Sequence, residues 1–444
     1  MTAISLVALA AISPLAFAQQ VGLTWDTSLG QPGFDAPVLN FWTSPQNTLH
    51  AMGEFTRSGG VTTGAVAVRS NNAWQPLGTP LQATWVESMV LWDSGQGPQL
   101  HVAGGGLTRT GEQWGIEPLM RLVGNQWLPP QTAHPASWSS VIAPYRVQGV
   151  ERLFVCGPME AQPEFLYMSV SSPAGWTIAG GEPFSTAPQA MLVANLGDGE
   201  RLYFAGGAGE VASVGSFDGQ TWRRIGGDVD GFPRALAVLP TPTGNQLLVG
   251  GWDVSQANIA GPGPRVPING IALWTGTQWD TLSGGVDFDI YAIAVAQTIY
   301  GPRIFAGGEK FLLSRPRPRL SMYENGVWIP ITGLEGERVD SLHVYDADGP
   351  GPAPQQLLIG GSLTTANGTP IGNLAALTLG RRCDTIDFNR NSVFPEDQDV
   401  VDFFTVLAGG SCQGCGDIDF NNNSVFPEDQ DVIDFFAVLA GGSC

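Results

Sequence analysis

A short apolar segment ending in glycine recurs along this chain, and its period constrains the fold more than any other sequence feature. Clear copies occupy residues 49–53, 100–104, 202–206, 247–250, 304–307 and 357–360, and a weaker copy occupies residues 153–157. Tryptophans recur at intervals of 46 to 57 residues, at Trp25, Trp74, Trp127, Trp176, Trp222, Trp279 and Trp328. Because a four-stranded propeller blade takes about 40 to 50 residues, the period predicts an all-β propeller with one blade per repeat.

The phase of the repeat predicts how the propeller closes. Trp25 precedes the first glycine-ending segment, whereas the seventh segment is followed by the apolar residues 374–377 but by no tryptophan strand. The N-terminal segment 24–30 is therefore the strand that the last blade lacks. Such closure ties the two ends of the domain together and removes an exposed sheet edge. We predict seven blades over residues 19–382, with the N-terminal strand completing the last one.

The repeated residues have packing roles that resemble those of a known repeat. Glycine lets strands approach closely where blades taper toward the axis, and tryptophan can fill the space between adjacent sheets. The glycine doublets at 206–207, 250–251, 307–308 and 360–361 resemble Kelch-type propeller repeats, and they are similar to the Kelch-like propellers of secreted planctomycete proteins. This resemblance spans roughly residues 20–380 and implies a fold more than an activity.

The C-terminal segment contains two near copies of one unit, at residues 383–412 and 415–444. Oxygen-bearing side chains at alternate positions point toward one centre in an EF-hand-type loop, and in the first unit these are Asp387, Asn389 and Asn391. The backbone carbonyl of Val393 is a further candidate ligand. Asp399 is predicted to open a helix whose apolar face is Val400, Phe403, Phe404 and Leu407. The pattern predicts a calcium site in each unit.

Two such loop–helix units in tandem resemble dockerin repeats. With one residue inserted in the loop, the resemblance places Glu396 at the ninth position and Asp399 at the twelfth. It leaves open whether Glu396 or Asp397, and likewise Glu428 or Asp429, faces the ion. The predicted calcium ligands are Asp387, Asn389, Asn391, Val393, Glu396 and Asp399 in the first repeat, and Asp419, Asn421, Asn423, Val425, Glu428 and Asp431 in the second.

The alternative for residues 383–444 is a small acidic helical pair, stapled by disulfides, that binds no metal. The segment contains twelve acidic residues and a single basic one, Arg390, and a bound cation would relieve the resulting repulsion. Four of the five cysteines lie here, at Cys383, Cys412, Cys415 and Cys444. If the two units pack as a two-fold pair, the ends of the module come together, which favours a Cys383–Cys444 disulfide. Cys412–Cys415, or pairs within each repeat, are the alternatives.

The N-terminus predicts export. An apolar run at residues 3–12 and a break at Pro14 precede the small-residue site Ala16-Phe17-Ala18, which is typical of a signal peptide over residues 1–18. The run is too short for a stable membrane anchor. We therefore expect a secreted protein, extracellular or periplasmic, without membrane insertion. The net charge of −20 argues against nucleic-acid binding, which requires clustered lysine and arginine.

No set of catalytic residues is predicted. The four histidines, His50, His101, His134 and His343, lack the short spacing of a zinc motif. Residues 216–222 are similar to a sialidase Asp-box but are more simply a hairpin turn. We expect a noncatalytic binding or display protein whose propeller contacts an extracellular protein or glycan. Its calcium module would serve in attachment or pairing, with a cohesin-like partner by analogy. The alternative is a secreted carbohydrate-active propeller enzyme carrying a dockerin-like tag, which needs carboxylates or a Tyr/His set at the propeller axis.

Overall fold

A computed structural model describes most of the chain. The described residues are 23–108, 117–132, 134, 136, 138–159, 162–172, 174–179, 188–206, 213–227, 229–254, 256–258, 265–298, 301–312, 315–349, 354–379, 384, 386–391, 393–421 and 426–440. The predicted signal peptide, Cys383 and Cys444 therefore lie outside the described residues.

Seven antiparallel sheets, each with four main strands, form the blades of a β-propeller, as predicted. Blade 1 consists of β2 (Val38–Thr43), β3 (Leu49–Gly53), β6 (Val66–Ser70) and β7 (Ala73–Pro76). Blade 2 consists of β8 (Trp85–Asp93), β9 (Pro98–Leu107), β10 (Glu117–Val123) and β11 (Gln126–Leu128). Blade 3 consists of β12 (Val141–Val147), β13 (Val150–Met159), β14 (Gln162–Ser172) and β15 (Gly175–Ile178). Blade 4 consists of β16 (Pro188–Asn195), β17 (Glu200–Gly206), β18 (Ser213–Phe217) and β19 (Trp222–Arg224).

The remaining blades follow the same order. Blade 5 consists of β20 (Phe232–Thr241), β21 (Gly244–Trp252), β24 (Ile271–Trp274) and β25 (Trp279–Asp280). Blade 6 consists of β26 (Asp289–Thr298), β27 (Gly301–Leu312), β28 (Arg315–Glu324) and β29 (Val327–Pro330). Blade 7 consists of β30 (Leu334–Tyr345), β31 (Gln356–Ala366), β33 (Leu374–Leu379) and β1 (Leu23–Asp26). Short accessory strands are β4 (Arg57–Ser58), β5 (Val61–Thr62), β22 (Gln256–Asn258), β23 (Arg265–Pro267) and β32 (Thr369–Pro370).

The last blade is completed by the N-terminal strand. The order of its sheet is β30, β31, β33 and then β1, so the first and last strands of the propeller are neighbours. The Asp26 carboxylate at the end of β1 accepts a 2.8 Å hydrogen bond from the Gln356 amide at the start of β31. The predicted closure is confirmed.

The apolar strands are continuous runs because both of their faces are buried. In β21, Leu247 and Val249 pack with Tyr203 of blade 4, whereas Leu248 packs with Ile304 of blade 6. Successive side chains of a strand point to opposite faces, so each second strand of a blade contributes to the cores on both sides. The repeated tryptophans fill these inter-blade cores, and Trp74, Trp127 and Trp279 are buried in them.

The C-terminal repeats form two helices, α1 (Asp397–Leu407) and α2 (Asp429–Leu439). Their core consists of Phe388, Phe403, Phe420 and Phe435, and the Phe403 and Phe435 rings are stacked with centroids 4.2 Å apart. Of the predicted apolar face, Phe403 is buried in this core, whereas Phe404 is exposed. The helices also begin two residues earlier than predicted, since Glu396 and Glu428 are the N-cap residues.

A disulfide joins Cys412 to Cys415 across the link between the two repeats, with Cα atoms 5.5 Å apart. This is one of the alternatives that the sequence left open, and it is incompatible with the within-repeat pairs. The favoured pair, Cys383–Cys444, lies outside the described residues. Among the described residues, no helix is long and apolar enough to cross a bilayer.

Candidate functional sites

The first acidic loop folds around its predicted ligands through backbone hydrogen bonds. The Asn391 N–H donates to Asp387 Oδ1 at 2.9 Å and to Asn389 Oδ1 at 3.1 Å, and the Val393 N–H donates to Asn391 Oδ1 at 2.7 Å. Short polar side chains favour such turns because they accept bonds from the backbone two to four residues later. The three oxygen-bearing residues are thereby held in one compact loop.

Glu396, and not Asp397, lies beside these loop residues. Glu396 Oε1 is 2.5 Å from Asn391 Nδ2 and 3.4 Å from Asn389 Nδ2, whereas Asp397 is exposed at the first position of α1. The second repeat has the equivalent contact, from Asn421 Nδ2 to Glu428 Oε1 at 3.4 Å. In both repeats, the N-cap glutamate therefore contacts a loop amide.

Asp399, which the sequence predicts as the twelfth-position ligand, lies in the first turn of α1. It is fully buried, its Oδ1 accepts the Phe388 N–H at 2.9 Å, and its Oδ2 accepts the Glu396 N–H at 3.3 Å. In the second repeat, Asp431 accepts the N–H groups of Asn421 at 3.4 Å and Glu428 at 3.2 Å. These aspartates tie the loop to the first turn of the helix, because a carboxylate at this position stabilises unpaired N–H groups.

A carboxylate that the sequence analysis did not name also lies beside the loop. Asp402 Oδ2 accepts a 3.0 Å hydrogen bond from Asn389 Nδ2, and Asp434 Oδ2 accepts the equivalent 2.9 Å bond from Asn421. The sequence feature that could have identified Asp402 is its spacing of three residues from Asp399, because residues three apart lie on the same side of a helix. Glu396 and Asp402 thus converge on one amide group.

The donor set suits a hard cation. All of its members are carboxylate or amide oxygens, which calcium prefers over the nitrogen and sulfur ligands of softer metals. Rotation of the Asn389 amide by half a turn would direct its oxygen to the point where the Glu396 and Asp402 carboxylates meet. Val393 has an exposed side chain and would contribute only its carbonyl. Asn423 and Val425 lie outside the described residues.

Another grouping in this region is unsuited to metal. The sulfurs of Cys412 and Cys415 and a carboxylate oxygen of Asp402 lie within 4.8 Å of one another. The two sulfurs are bonded to each other. Because metals bind the thiolate form, this cluster is not a metal site while the disulfide is intact.

The two helices of the module share an exposed apolar face. Val401 and Phe404 on α1 are 54% and 40% exposed, and Ile433 and Phe436 on α2 are 57% and 43% exposed. The Phe404 and Phe436 rings lie 6.0 Å apart, so the face is continuous across both repeats. Contiguous exposed apolar groups on a highly charged module are typical of an interaction surface.

A second candidate site lies at one end of the propeller axis. The innermost strands of five blades carry a bulge in which one residue has no partner on the next strand. These residues and their equivalents in blades 3 and 7 line a cavity of about 230 Å³. They are Leu39, Glu87, Ser140, Gln189, Arg234, Tyr291 and Asp340. We call this set the axial ring.

The repeated glycine creates the axial ring. In six blades, this glycine on the second strand lies against the backbone in or just before the innermost strand, two residues before the axial-ring position. A Cβ atom added to the glycine would lie only 1.8 to 2.2 Å from the carbonyl oxygen there. The pairs are Gly53 with Pro37, Gly104 with Trp85, Gly157 with Trp138, Gly251 with Phe232, Gly308 with Asp289 and Gly361 with Arg338. A bulge brings the backbones this close, and only glycine leaves room for it.

Opposite charges meet within the axial ring. The Arg338 Nε donates to Asp340 Oδ1 at 2.6 Å, and the Arg234 guanidinium lies over the Tyr291 ring, 4.2 Å from its centroid. Burial raises the pKa of Asp340 to about 6, despite the nearby Arg338 charge. Burial also raises the pKa of Glu87, against the lowering effect of Arg234. Carboxyls with raised pKa in a concave site are typical of functional positions.

The histidines form no common site. His50 packs against Trp42 and His101 against Trp92, each pair with centroids 5.1 Å apart, at equivalent positions of blades 1 and 2. Burial lowers the pKa of His101, His134 and His343 to about 4, and it also lowers that of His50. All four are therefore neutral groups of the blade interior at neutral pH.

The Asp-box-like segment is a hairpin turn, as the simpler interpretation predicted. Asp218 Oδ1 accepts the N–H groups of Gln220 at 3.0 Å and Thr221 at 2.7 Å between β18 and β19.

The sequence matches no protein-family model and no curated protein. Solved structures give low-identity likenesses. BBS1N, solved in complex with ARL6DN, is 13% identical with a TM-score of 0.39, covering 81% of this chain and 96% of that one. The AfRom2 CNH domain is 8% identical with a TM-score of 0.41, covering 77% and 93%. The Dos1 propeller is 11% identical with a TM-score of 0.41, covering 77% and 78%. The fold assignment rests on the seven sheets themselves.

Proposed function

We propose that this chain is a secreted, noncatalytic binding or display protein. Its propeller presents surfaces to an extracellular protein or glycan, and its C-terminal repeats form a calcium-organised attachment module. The observation that carries the proposal is the exposed apolar face formed by Val401, Phe404, Ile433 and Phe436. Contiguous exposed apolar side chains mark interaction sites, whereas a merely solvated tail would be polar on its exposed faces. By analogy with dockerins, the partner is a cohesin-like protein.

Calcium would organise this face through the loops that precede the helices. Glu396 and Asp402 belong to the same helical segment as Phe404, so an ion held between them and Asn389 would fix the orientation of α1. The second repeat provides the same arrangement with Glu428 and Asp434 around Asn421. Residues 383–444 would then present one ordered surface rather than two self-repelling acidic segments.

Calorimetric titration of the calcium-free full chain tests the metal assignment. We expect about two calcium ions per chain, with affinity strongly reduced by the paired change Glu396→Gln and Glu428→Gln. The matched control is Asp397→Asn with Asp429→Asn, which removes the same charge from exposed positions and should have little effect. No binding up to about 10 mM, far weaker than extracellular calcium modules, would exclude calcium as the organiser.

The attachment assignment needs a separate experiment. Immobilised full chain should retain a partner from the extracellular fraction of its own cells in calcium, and lose it when Phe404 and Phe436 are both changed to serine. Retention that is unaffected by these changes would assign the interaction to another surface. Sedimentation of the purified chain in calcium would show whether the partner is a second copy.

The carbohydrate-active alternative is favoured by one observation, the two carboxyls with raised pKa at the propeller axis, Glu87 and Asp340. Turnover of a polysaccharide panel that disappears in Asp340→Asn would establish it. The absence of turnover with intact ligand binding would support the noncatalytic assignment.

A further inference from the structure

We propose that the axial cavity binds a small, neutral, polyhydroxylated ligand of monosaccharide size through Glu87, Arg234 and Asp340. The inference deepens the proposed binding function of the propeller and is independent of the calcium module.

Asp340 provides a buried carboxylate oxygen that could accept a hydrogen bond from a ligand. Its side chain is 6% exposed, and its Oδ1 is occupied by Arg338 Nε at 2.6 Å. Its Oδ2 is buried and has no hydrogen-bond partner among the described residues. An unsatisfied buried acceptor is destabilising, and a ligand hydroxyl entering the cavity would satisfy it.

Arg234 provides donors on the same cavity. Its guanidinium carbon lies over the Tyr291 ring, 4.2 Å from the centroid, and within the described part of the chain it forms no hydrogen bond or ion pair. Tyr291 is itself held in place, since its hydroxyl donates to Glu309 Oε1 at 2.8 Å and the Arg338 guanidinium lies 4.5 Å from its ring centroid. The cation–π contact restrains the Arg234 guanidinium and leaves its N–H groups available to a ligand.

The mixture of charges selects the ligand class. A cationic ligand would be repelled by Arg234, and an anionic ligand would be repelled by Glu87 and Asp340. Burial raises the pKa of Glu87, and the nearby Asp340 charge adds to that rise. A neutral molecule with adjacent hydroxyls satisfies both, because each hydroxyl can donate to a carboxylate and accept from a guanidinium. The volume of about 230 Å³ is below the ~300–1,000 Å³ of drug-sized pockets, which limits the ligand to about one sugar ring.

Saturation-transfer NMR of the full chain tests the inference. The probes are D-glucose, D-galactose, D-mannose, D-xylose, L-arabinose and L-fucose, with glucuronic acid, glucosamine, glycine and alanine as charged or zwitterionic comparators. We expect at least one neutral sugar to bind with Kd of roughly 1 mM or tighter, and at least tenfold more weakly in Asp340→Asn and in Arg234→Gln. The matched control is Glu200→Gln, an exposed carboxylate on a β-hairpin outside the cavity, which should leave binding unchanged.

Three results would overturn the proposal: no neutral sugar bound at ~10 mM, binding that survives Asp340→Asn or Arg234→Gln, or binding of the comparators alone. If Asp340→Asn does not fold, Arg234→Gln decides the question. The calcium and Phe404/Phe436 experiments involve residues outside the cavity, so a failure of sugar binding is distinguishable from a failure of the attachment function.

Discussion

The indole Nε1 of Trp127 donates a 3.0 Å hydrogen bond to the carbonyl oxygen of Leu77, which joins the outer strand of blade 2 to the end of blade 1. Trp74, Trp176 and Trp328 make equivalent bonds at 2.9 to 3.3 Å to Leu29, Thr132 and Leu282. The repeated tryptophan therefore combines apolar filling with a directional link between neighbouring blades.

This link predicts a measurable difference between two tryptophans. Trp279 is equally buried, but its Nε1 has no partner among the described residues. Trp127→Phe and Trp279→Phe remove similar volume, and only the first removes a hydrogen bond. We expect Trp127→Phe to be more destabilising by about 1 kcal/mol in urea unfolding. Equal losses would mean that the bond contributes nothing to stability.

The glycine doublets predict a second pair of outcomes. A Cβ on Gly308 would lie 1.8 Å from the Asp289 carbonyl oxygen, so Gly308→Ala must force β26 and β27 apart. We expect a loss of roughly 1–3 kcal/mol in the free energy of unfolding. Gly60→Ala is the control because nothing lies within 4 Å of its Cβ position, and it should change stability by less than about 0.5 kcal/mol. A tolerated Gly308→Ala would show that the bulge is not a rigid feature of the blade.

The sequence predicted the propeller because its packing residues are the same in every blade. Tryptophan and glycine recur since each blade presents the same gap and the same close backbone approach. The residues of the axial ring could not be predicted from the sequence. The bulge determines where a side chain enters the cavity, but it allows any residue type at that position. Glu87, Arg234, Tyr291 and Asp340 are not one residue type, and only the structure shows that they occupy equivalent positions.

The C-terminal site was predicted only in part, because the sequence shows local spacing but not where the helix begins. Spacing identified Asp387, Asn389 and Asn391 as one loop, since a period of two is a local property of the chain. Asp402 was missed because its proximity depends on where α1 begins, and Glu396 sets that start two residues before Asp399.

The phenylalanine core of the module predicts a local loss of stability. Phe403 is fully buried and stacks on Phe435, whereas its neighbour Phe404 is exposed. We expect Phe403→Ala to cost about 3–5 kcal/mol and Phe404→Ala less than ~1 kcal/mol. Hydrogen exchange should show loss of protection in α1 and α2 for Phe403→Ala only. Equal protection in both variants would contradict the assigned core.

Asp340 predicts a pH dependence of stability. Because burial raises its folded pKa from 3.8 to about 6, the folded state holds this proton more tightly than the unfolded state. Its contribution to stability is therefore fully present below about pH 4 and is lost as the pH rises through about 6. The charges around it are Arg338, Arg234, Glu54 and Glu87.

Asp340→Asn removes this titration. Relative to the wild type, the variant should therefore gain roughly 1–3 kcal/mol in the free energy of unfolding between pH ~4 and pH ~8, since each pKa unit corresponds to about 1.4 kcal/mol. Urea unfolding at the two pH values measures this difference, and Glu200→Gln provides the exposed control. A variant that follows the wild type at both pH values would show that Asp340 titrates at its ordinary pKa, and the axial cavity would then hold an ordinary surface carboxylate.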